Sequence, residues 1–458
     1  MNRYQTVLVN EFRRRGALRA SELTVALGVS QPTVSRLLSG MGAGRLVRTG
    51  RGRSSRYAML RELAGIGSRW PLYEIDQDGR ILQMGYLHAL ESRQWFLEQD
   101  DVWDSLRDEE FRDGLYPGLP WFLYDLRPQG FLGRCFAQAY SGMLGASADP
   151  REWSDDDIVS ALLRFGDDVC GAFVLGEDML STVQRRMLSA PMTISITSRE
   201  EIYPDVADRT LDGQFPGSSA GGEQPKFTAC LREDDGNLRH VIVKFSGSAG
   251  RAEDRRWADL LFAEDVANRV LRAHGFSTAE TCIIESSGRV FLESIRFDRI
   301  GAFGRRGMVS LEALDSAFFG QIDTSWVEAS GRLRLRGILD EAEAEMLAGL
   351  WWFGTLIGNS DMHYGNVSLF TDRNLPLSLT PTYDMVPMRY RPNIEGRYMS
   401  DPISPPPPPP EVMAVWEKAA IAAEEFWSEV ASQSGVSEEF QSIASQNAKV
   451  VEMYRQRF

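Results

Sequence analysis

The first sixty residues carry eleven arginines (Arg3, Arg13, Arg14, Arg15, Arg19, Arg36, Arg45, Arg48, Arg51, Arg53 and Arg56) against Glu11 and Glu22, a net of +9. The whole chain totals −14, so +9 here leaves −23 on the remaining 398 residues. A charge split of that size predicts a small basic module joined to an acidic body, the basic part suited to nucleic acid or a membrane surface. Length agrees, since 458 residues at the usual domain size make about three domains. Hydrophobic residues at 43% and charged residues at 25% are ordinary globular usage, which excludes a disordered, collagen-like or coiled-coil chain.

Within the basic module, Val7, Leu8 and Phe12 recur at helical spacing up to Gly16. A second helix from Ala20 closes at Gly28, suited to a left-handed cap. Ser30 then offers an N-cap and Pro32 a first-turn residue for a third helix through Leu38. Residues 46–58 read as two short strands around a Gly- and Arg-rich tip. Helix, turn, helix and basic hairpin resemble a winged helix-turn-helix over residues 1–62. In that geometry Gln31, Thr33, Ser35 and Arg36 face base edges, while Arg51, Arg53 and Arg56 neutralise phosphates. Modules of this kind commonly bind DNA as half of a homodimer.

The acidic body has three parts. Residues 70–205 open with a hairpin around Asp78-Gly79 and continue, from 87 to 200, as aromatic-rich stretches and helices without a chemical constellation. Residues 206–300 alternate strands with one long helix, and residues 301–458 read as helical. This order predicts an α+β body with a β-rich lobe followed by a helical one. Pro405 to Pro410 is a stiff polyproline segment, read as an exposed spacer or docking strip. The longest apolar stretch, Met346 to Ile357, is far below the ~20 residues a bilayer span needs. No signal-peptide hydrophobic region opens the chain, and four scattered cysteines suggest reduced thiols. We expect a cytoplasmic protein.

Chemistry concentrates at two places. Of 50 basic residues only Lys226, Lys244, Lys418 and Lys449 are lysine. Two of these flank one predicted hairpin, and Lys226 follows the Gly-rich loop Gly217-Ser218-Ser219-Ala220-Gly221-Gly222-Glu223-Gln224-Pro225. Glycine lets backbone N–H groups approach phosphates, and lysine adds a compact charge that arginine does not replace. Further on, Asp361 and Asn366 within Gly358-Asn359-Ser360-Asp361-Met362-His363-Tyr364-Gly365-Asn366 have the separation of the Asp and Asn in a protein-kinase catalytic loop, and Asp384 follows. Phosphoryl transfer needs a carboxylate to deprotonate the acceptor hydroxyl and oxygen ligands for Mg²⁺. Taken singly, each of these residues is an ordinary turn former.

Together, Ser219 to Lys226, Val243-Lys244, Arg296-Phe297-Asp298-Arg299, Gly358 to Asn366 and Tyr383-Asp384 resemble the HipA family of bacterial serine/threonine kinases, toxins of type II toxin-antitoxin systems. The resemblance spans roughly 70–440 and, with the fused N-terminal module, is greatest to the YjjJ-like (HipH) branch. It implies a two-lobed protein-kinase-like fold that uses ATP and Mg²⁺. It also implies Asp361 as catalytic base and Asn366 and Asp384 as Mg²⁺ ligands. Ala220, Gly221, Gly222, Gln224, Lys226 and Lys244 would surround the ATP phosphates, with Glu264 as a further partner of Lys244. Ile295 to Phe297 would lie beside adenine, with Asp298 and His363 near the nucleotide; His363 alternatively braces the catalytic loop. In this family a serine of the Gly-rich loop is autophosphorylated and the enzyme inactivated. That serine aligns with Ser219, or with Ser218. The implied partner is a protein with a Ser/Thr acceptor, in the family a translation component such as an aminoacyl-tRNA synthetase.

Two other classes compete. One is a DNA-binding regulator whose kinase-like body only senses nucleotide. The other is an enzyme acting on nucleic acid, disfavoured by the −23 of the body.

Overall fold

The computed structural model describes residues 3–458 apart from 43, 51, 100–110, 112, 190, 214–223, 249, 322–323, 372–373 and 394. The N-terminal module comprises α1 (Arg3–Arg15), β1 (Leu18–Arg19), α2 (Ala20–Leu27), α3 (Gln31–Ser39), β2 (Leu46–Thr49) and β3 (Arg56–Met59). The three strands form an antiparallel sheet in the order β1-β3-β2. Leu8, Phe12, Leu18, Leu23, Val34 and Leu38 fill its core, so of the helically spaced residues of the first helix Leu8 and Phe12 face inward while Val7 is exposed. Gly28 closes α2 at φ 64, where a side chain would be strained. Ser30 has the extended backbone of an N-cap, but its hydroxyl pairs with the Thr33 hydroxyl at 3.0 Å instead of capping a backbone N–H. Strand β1 was not predicted, being too short to show alternation.

The middle region is better ordered than its sequence suggests. Strands β4 (Arg69–Ile75), β5 (Ile81–Ala89), β6 (Trp95–Gln99), β7 (Leu115–Tyr116) and β8 (Phe173–Leu175) form an antiparallel sheet, β7-β6-β5-β4-β8. Helices α4 (Gly130–Leu144), α5 (Asp155–Phe165) and α6 (Glu177–Met187) accompany it. Three aspartates and a Ser154–Asp157 capping box start α5, as the helix dipole favours.

A seam joins this sheet to the N-terminal module. Gln94 Oε1 accepts from Ala17 N at 2.8 Å and fills the space where Gly16, at φ 74, has no Cβ. Arg61 donates to Leu90 O and ion-pairs with Asp156, and Ala17, Ala58, Leu90 and Phe96 form a small apolar cluster between the two.

The next lobe contains β9 (Ile194–Ser195), α7 (Arg199–Leu211), β10 (Lys226–Arg232), β11 (Leu238–Phe245), α8 (Ala252–Ala273), β12 (Thr281–Ser286) and β13 (Arg289–Ile295). The sheet order is β12-β13-β11-β10-β9, with only β9 and β10 parallel. The lobe therefore begins before residue 206. Tyr203 and Ala207 of α7 share a core with Phe227, Val243 and Phe291 on one sheet face. Strand β13 stops at Ile295, where Arg296 turns into a buried ion cluster.

Helices α9 (Leu311–Phe318), α10 (Trp326–Leu335), α11 (Glu341–Leu356), α12 (Met413–Ser432) and α13 (Glu438–Arg457) complete the chain. One apolar core runs from the middle sheet through α8 into these helices, so the predicted parts at 70–205 and 301–458 are not separately cored. Residues 405–410 differ from the exposed strip expected. Pro405 and Pro408 are buried. A polyproline helix has three residues per turn, so every third ring faces the protein. Among the described residues no helix is long and apolar enough to cross a membrane. None of the four cysteines is in a disulfide.

Candidate active site

Lys226 and Lys244 are direct Cα partners on β10 and β11, so their side chains leave one face of the sheet together. Both are buried, and two like charges in that register require compensation. Helix α8 supplies it from the face it covers: Lys244 Nζ donates to both oxygens of Glu264, at 2.5 and 2.7 Å. Lys244 also ion-pairs with Asp384. Burial disfavours the ammonium, yet Asp384 and Glu264 outweigh it and raise the Lys244 pKa. Burial likewise works against the Asp384 carboxylate, but Lys244 and Lys226 hold its pKa below the ordinary range. Glu264 is pushed up, burial prevailing over the pull of Lys244.

Asp384 has φ 56, a left-handed conformation that Asp tolerates better than most side chains. The preceding Tyr383 is anchored: its hydroxyl donates to Gly365 O at 3.2 Å and pairs with the Ser368 hydroxyl at 2.8 Å. That anchor ties the Asp384 segment to the loop after α11.

In the same loop Asn359 is buried and central. Its Oδ1 accepts from Asp361 N at 3.0 Å, and its Nδ2 donates to Asp384 O at 3.4 Å. Asn366 Nδ2 donates to Asp361 O at 2.7 Å. One continuous network thus links Glu264, Lys244, Asp384, Asn359, Asp361 and Asn366. Asn359 and Tyr383 stand within the quoted motifs but were given no role there, since the sequence does not show which backbone groups they hold. His363 accepts from Gly365 N through Nδ1 at 3.0 Å, the bracing role, while the residue stays exposed.

Asp298, expected near the nucleotide, sits in a buried ion cluster. The structure commits its carboxylate elsewhere: Oδ1 accepts from Arg296 Nε at 2.9 Å, and Oδ2 from Arg296, Arg299 and Gly171 N at 2.8, 2.8 and 3.0 Å. Burial opposes ionisation, but Arg296 and Arg299 prevail and hold this carboxyl far below the ordinary range. Asp298 thereby fastens the sheet lobe to the middle region. Phe297 lies against Phe370 and Tyr383, with ring centroids 6.0 and 5.8 Å apart, and Ile295 ends β13 opposite Val241.

Ser218, Ser219, Ala220, Gly221 and Gly222 lie outside the described residues, as does Arg51; the side chain of Arg53 does too. Gln224, just after the loop, has a buried Nε2 that donates to nothing among the described residues. A buried amide donor of this kind fits a phosphate oxygen. Among the described residues no three His, Cys, Asp or Glu side chains are placed to hold a metal alone. Mg²⁺ held with substrate phosphates needs only one or two protein oxygens, which Asp384 and Asn366 fit. In the N-terminal module Gln31, Ser35 and Arg36 are exposed on α3, Thr33 is half-buried, and Val34 and Leu38 face the core. Arg56 is half-buried on β3.

Residues 66–184 match the family model described as the YjjJ-like toxin middle domain, and residues 218–454 match the HipA-like C-terminal domain. Neither range includes residues 1–65. Over 434 residues the chain is 37% identical to Toxin YjjJ of Escherichia coli (strain K12), covering 94% of both chains. A solved structure of the Shewanella oneidensis MR-1 toxin-antitoxin system HipA, HipB and its operator DNA complex is similar in fold. It aligns with TM-score 0.53 and 16% identity over 85% of this chain and 97% of that one.

Proposed function

The chain belongs to the HipA-like family, and from that premise we propose that it is an ATP- and Mg²⁺-dependent protein serine/threonine kinase with an N-terminal winged helix-turn-helix that binds DNA. The observation that carries the kinase reading is the buried network from Glu264 and Lys244 through Asp384 and Asn359 to Asp361 and Asn366. Mg²⁺-bound ATP would supply the transferable phosphoryl group and neutralise the charge that develops on it.

The remaining chemistry belongs to the chain. Asp361 orients the acceptor hydroxyl and takes its proton at a carboxylate oxygen. Asn359 holds the backbone on either side of the site, so Asp361 and the metal-binding Asp384 keep one spacing. Lys244 and Lys226 set opposing positive charge where phosphates bind, and Glu264 fixes the direction of Lys244. Gln224 donates to the phosphates together with the loop at Ala220, Gly221 and Gly222. Ile295 and Phe297 line the adenine side. Autophosphorylation at Ser219, or Ser218, would place a doubly charged group in that loop and switch the enzyme off.

The DNA reading is supported by the exposed Gln31, Ser35 and Arg36 of α3 and by the +9 of the first sixty residues. The kinase test is incubation with labelled ATP and Mg²⁺, alone and with cell lysate, beside Asp361→Ala and Ser219→Ala. We expect label in the wild type, none with Asp361→Ala, and loss of self-labelling with Ser219→Ala. ATP binding without label in chain or lysate would leave a nucleotide sensor and refute the kinase.

A further inference from the structure

A second charged cavity lies beside the catalytic loop, built by the middle region against α9. It has a volume of about 330 Å³ and is lined by Arg127, Arg134, Asp149, Arg151, Tyr124 and Glu312, with the start of α4 at its floor. Its connection to the chemistry is direct. Arg127 stacks over the Tyr124 ring at 3.9 Å, the Tyr124 hydroxyl donates to Glu312 Oε1 at 3.1 Å, and Glu312 Oε2 lies 3.3 Å from where a Cβ on Gly365 would stand. Gly365 sits four positions after Asp361 in the catalytic loop.

The cavity suits an anion. Its lining holds three guanidinium groups, Arg127, Arg134 and Arg151, against two carboxylates, Asp149 and Glu312. Arg151 grips Asp149 through Nε at 3.0 Å to both carboxylate oxygens, and hydrogen bonds to its side chain and backbone N–H, helped by the charge of Arg134, draw that carboxyl down to about 2. Helix α4 adds its N-terminus: Gln129, at the N-cap, makes no side-chain cap, and both Gln129 and Gly130 line the cavity. Gly133 lets the Pro128 backbone approach to 2.5 Å of a notional Cβ, which packs the floor closely.

We propose that this cavity recognises an acidic segment of the acceptor polypeptide, placing a carboxylate or phosphate side chain near the serine or threonine presented to Asp361. The proposal rests on the kinase reading for the position of that serine. Guanidinium forks suit planar and tetrahedral anions. The body at −23 repels acidic chains in general, so a local basic cavity at the catalytic loop selects where on the body such a chain can settle.

The test compares two fluorescein-labelled serine peptides, one flanked by glutamates and one by lysines, on full-length protein. Fluorescence anisotropy without ATP measures binding, and label transfer from ATP measures phosphorylation. The acidic peptide should bind the wild type about tenfold more tightly than its partner. The Arg127→Ala/Arg134→Ala/Arg151→Ala variant should lose that preference, while the corresponding triple Lys variant keeps part of it. Self-labelling should stay within about twofold in both variants, since none of these residues belongs to the Lys244 network. Because residues 1–60 are unchanged in the variants, binding of the acidic peptide that survives the triple Ala substitution belongs to the basic module and overturns the proposal. Equal binding of both peptides by the wild type overturns it as well. Discrimination in binding without any label transfer would preserve the cavity and refute the kinase instead.

Discussion

Lys244→Met is the perturbation that reports most on the site. The side chains involved are 9% exposed for Lys244, 4% for Glu264 and 22% for Asp384. Lys226 also acts on both carboxylates, so the wild type balances two lysines against two acids. Removing one lysine leaves a buried cluster with one uncompensated negative charge. Breaking a buried pair this way costs about 3–5 kcal/mol, against under ~1 for an exposed pair. The methionine is close in length, so lost packing adds little.

The pH dependence carries a sign of its own. Lys244 has a raised pKa, so its contribution is complete below the ordinary lysine value near ~10.4 and is lost as pH rises through the raised one. Asp384 is depressed, so its contribution is present above ~3.9 and is lost as pH falls through its lowered value. Without Lys244, Glu264 moves further up, and a carboxyl raised in the folded state loses stability as pH rises. The variant should therefore regain more stability than the wild type between about pH 7 and 5. Urea unfolding followed by tryptophan fluorescence measures both effects. Lys244→Met/Glu264→Leu, which removes the pair together, should recover most of the loss. A single-variant loss under about 1 kcal/mol, with the wild-type pH slope, would refute the account.

Asn359→Ala, by freeing the backbone at Asp361 and Asp384, should cut label transfer about 10–100-fold while costing about 1–2 kcal/mol of stability. Initial rates and urea midpoints check both, and an unchanged rate would deny Asn359 a positioning role. Asp298→Asn should destabilise by about 3–5 kcal/mol. It should also remove part of the acid sensitivity of the wild type, whose depressed Asp298 contributes above the ordinary carboxylate range and fails as pH falls below it; acid titration of the folded signal tests this. Gly16→Ala would drive a Cβ to 2.0 Å from Gln94 Oε1 at φ 74. We expect a loss of about 1–3 kcal/mol concentrated at the seam, read as faster limited proteolysis between the module and the body. In DNA binding, Arg56→Ala should lower the slope of log affinity against log salt by about 0.9 if it meets one phosphate; an unchanged slope would remove it from the interface.

What the sequence revealed depended on whether the deciding interaction was local. The hairpin flanked by Lys226 and Lys244, the Asp78-Gly79 hairpin and the Gly28 cap are local, and each lies where its pattern predicts. Strand β1 is too short for periodicity, and the assignment of β9 and α7 to the nucleotide lobe depends on Tyr203 meeting Phe227 and Phe291. The fold does bring Lys244, Asp361, Asn366 and Asp384 into one network, a grouping their types and order suggested. The ion cluster around Asp298 was not legible, because its buried arginine partners and the Gly171 N–H come together only in the fold. Asn359 was passed over because its hydrogen bonds run to backbone, which no side-chain pattern records. The prolines show the same limit, since composition sets their stiffness and only packing reveals which rings are covered.

The seam at Gln94, Gly16 and Arg61 sets how far the proposed kinase could reach. A catalytic body hung on a long flexible linker explores a sphere around its anchoring point, and encounters inside that sphere are governed by local concentration. Here the N-terminal module and the sheet interlock through a side chain that occupies the volume of a missing Cβ, so orientation replaces tether length. If the module binds a duplex as proposed, the proposed catalytic face would have one bearing relative to the DNA axis. Acceptors would have to arrive along that bearing, and two copies on neighbouring half-sites would hold their catalytic faces at an angle dictated by the spacing of the DNA.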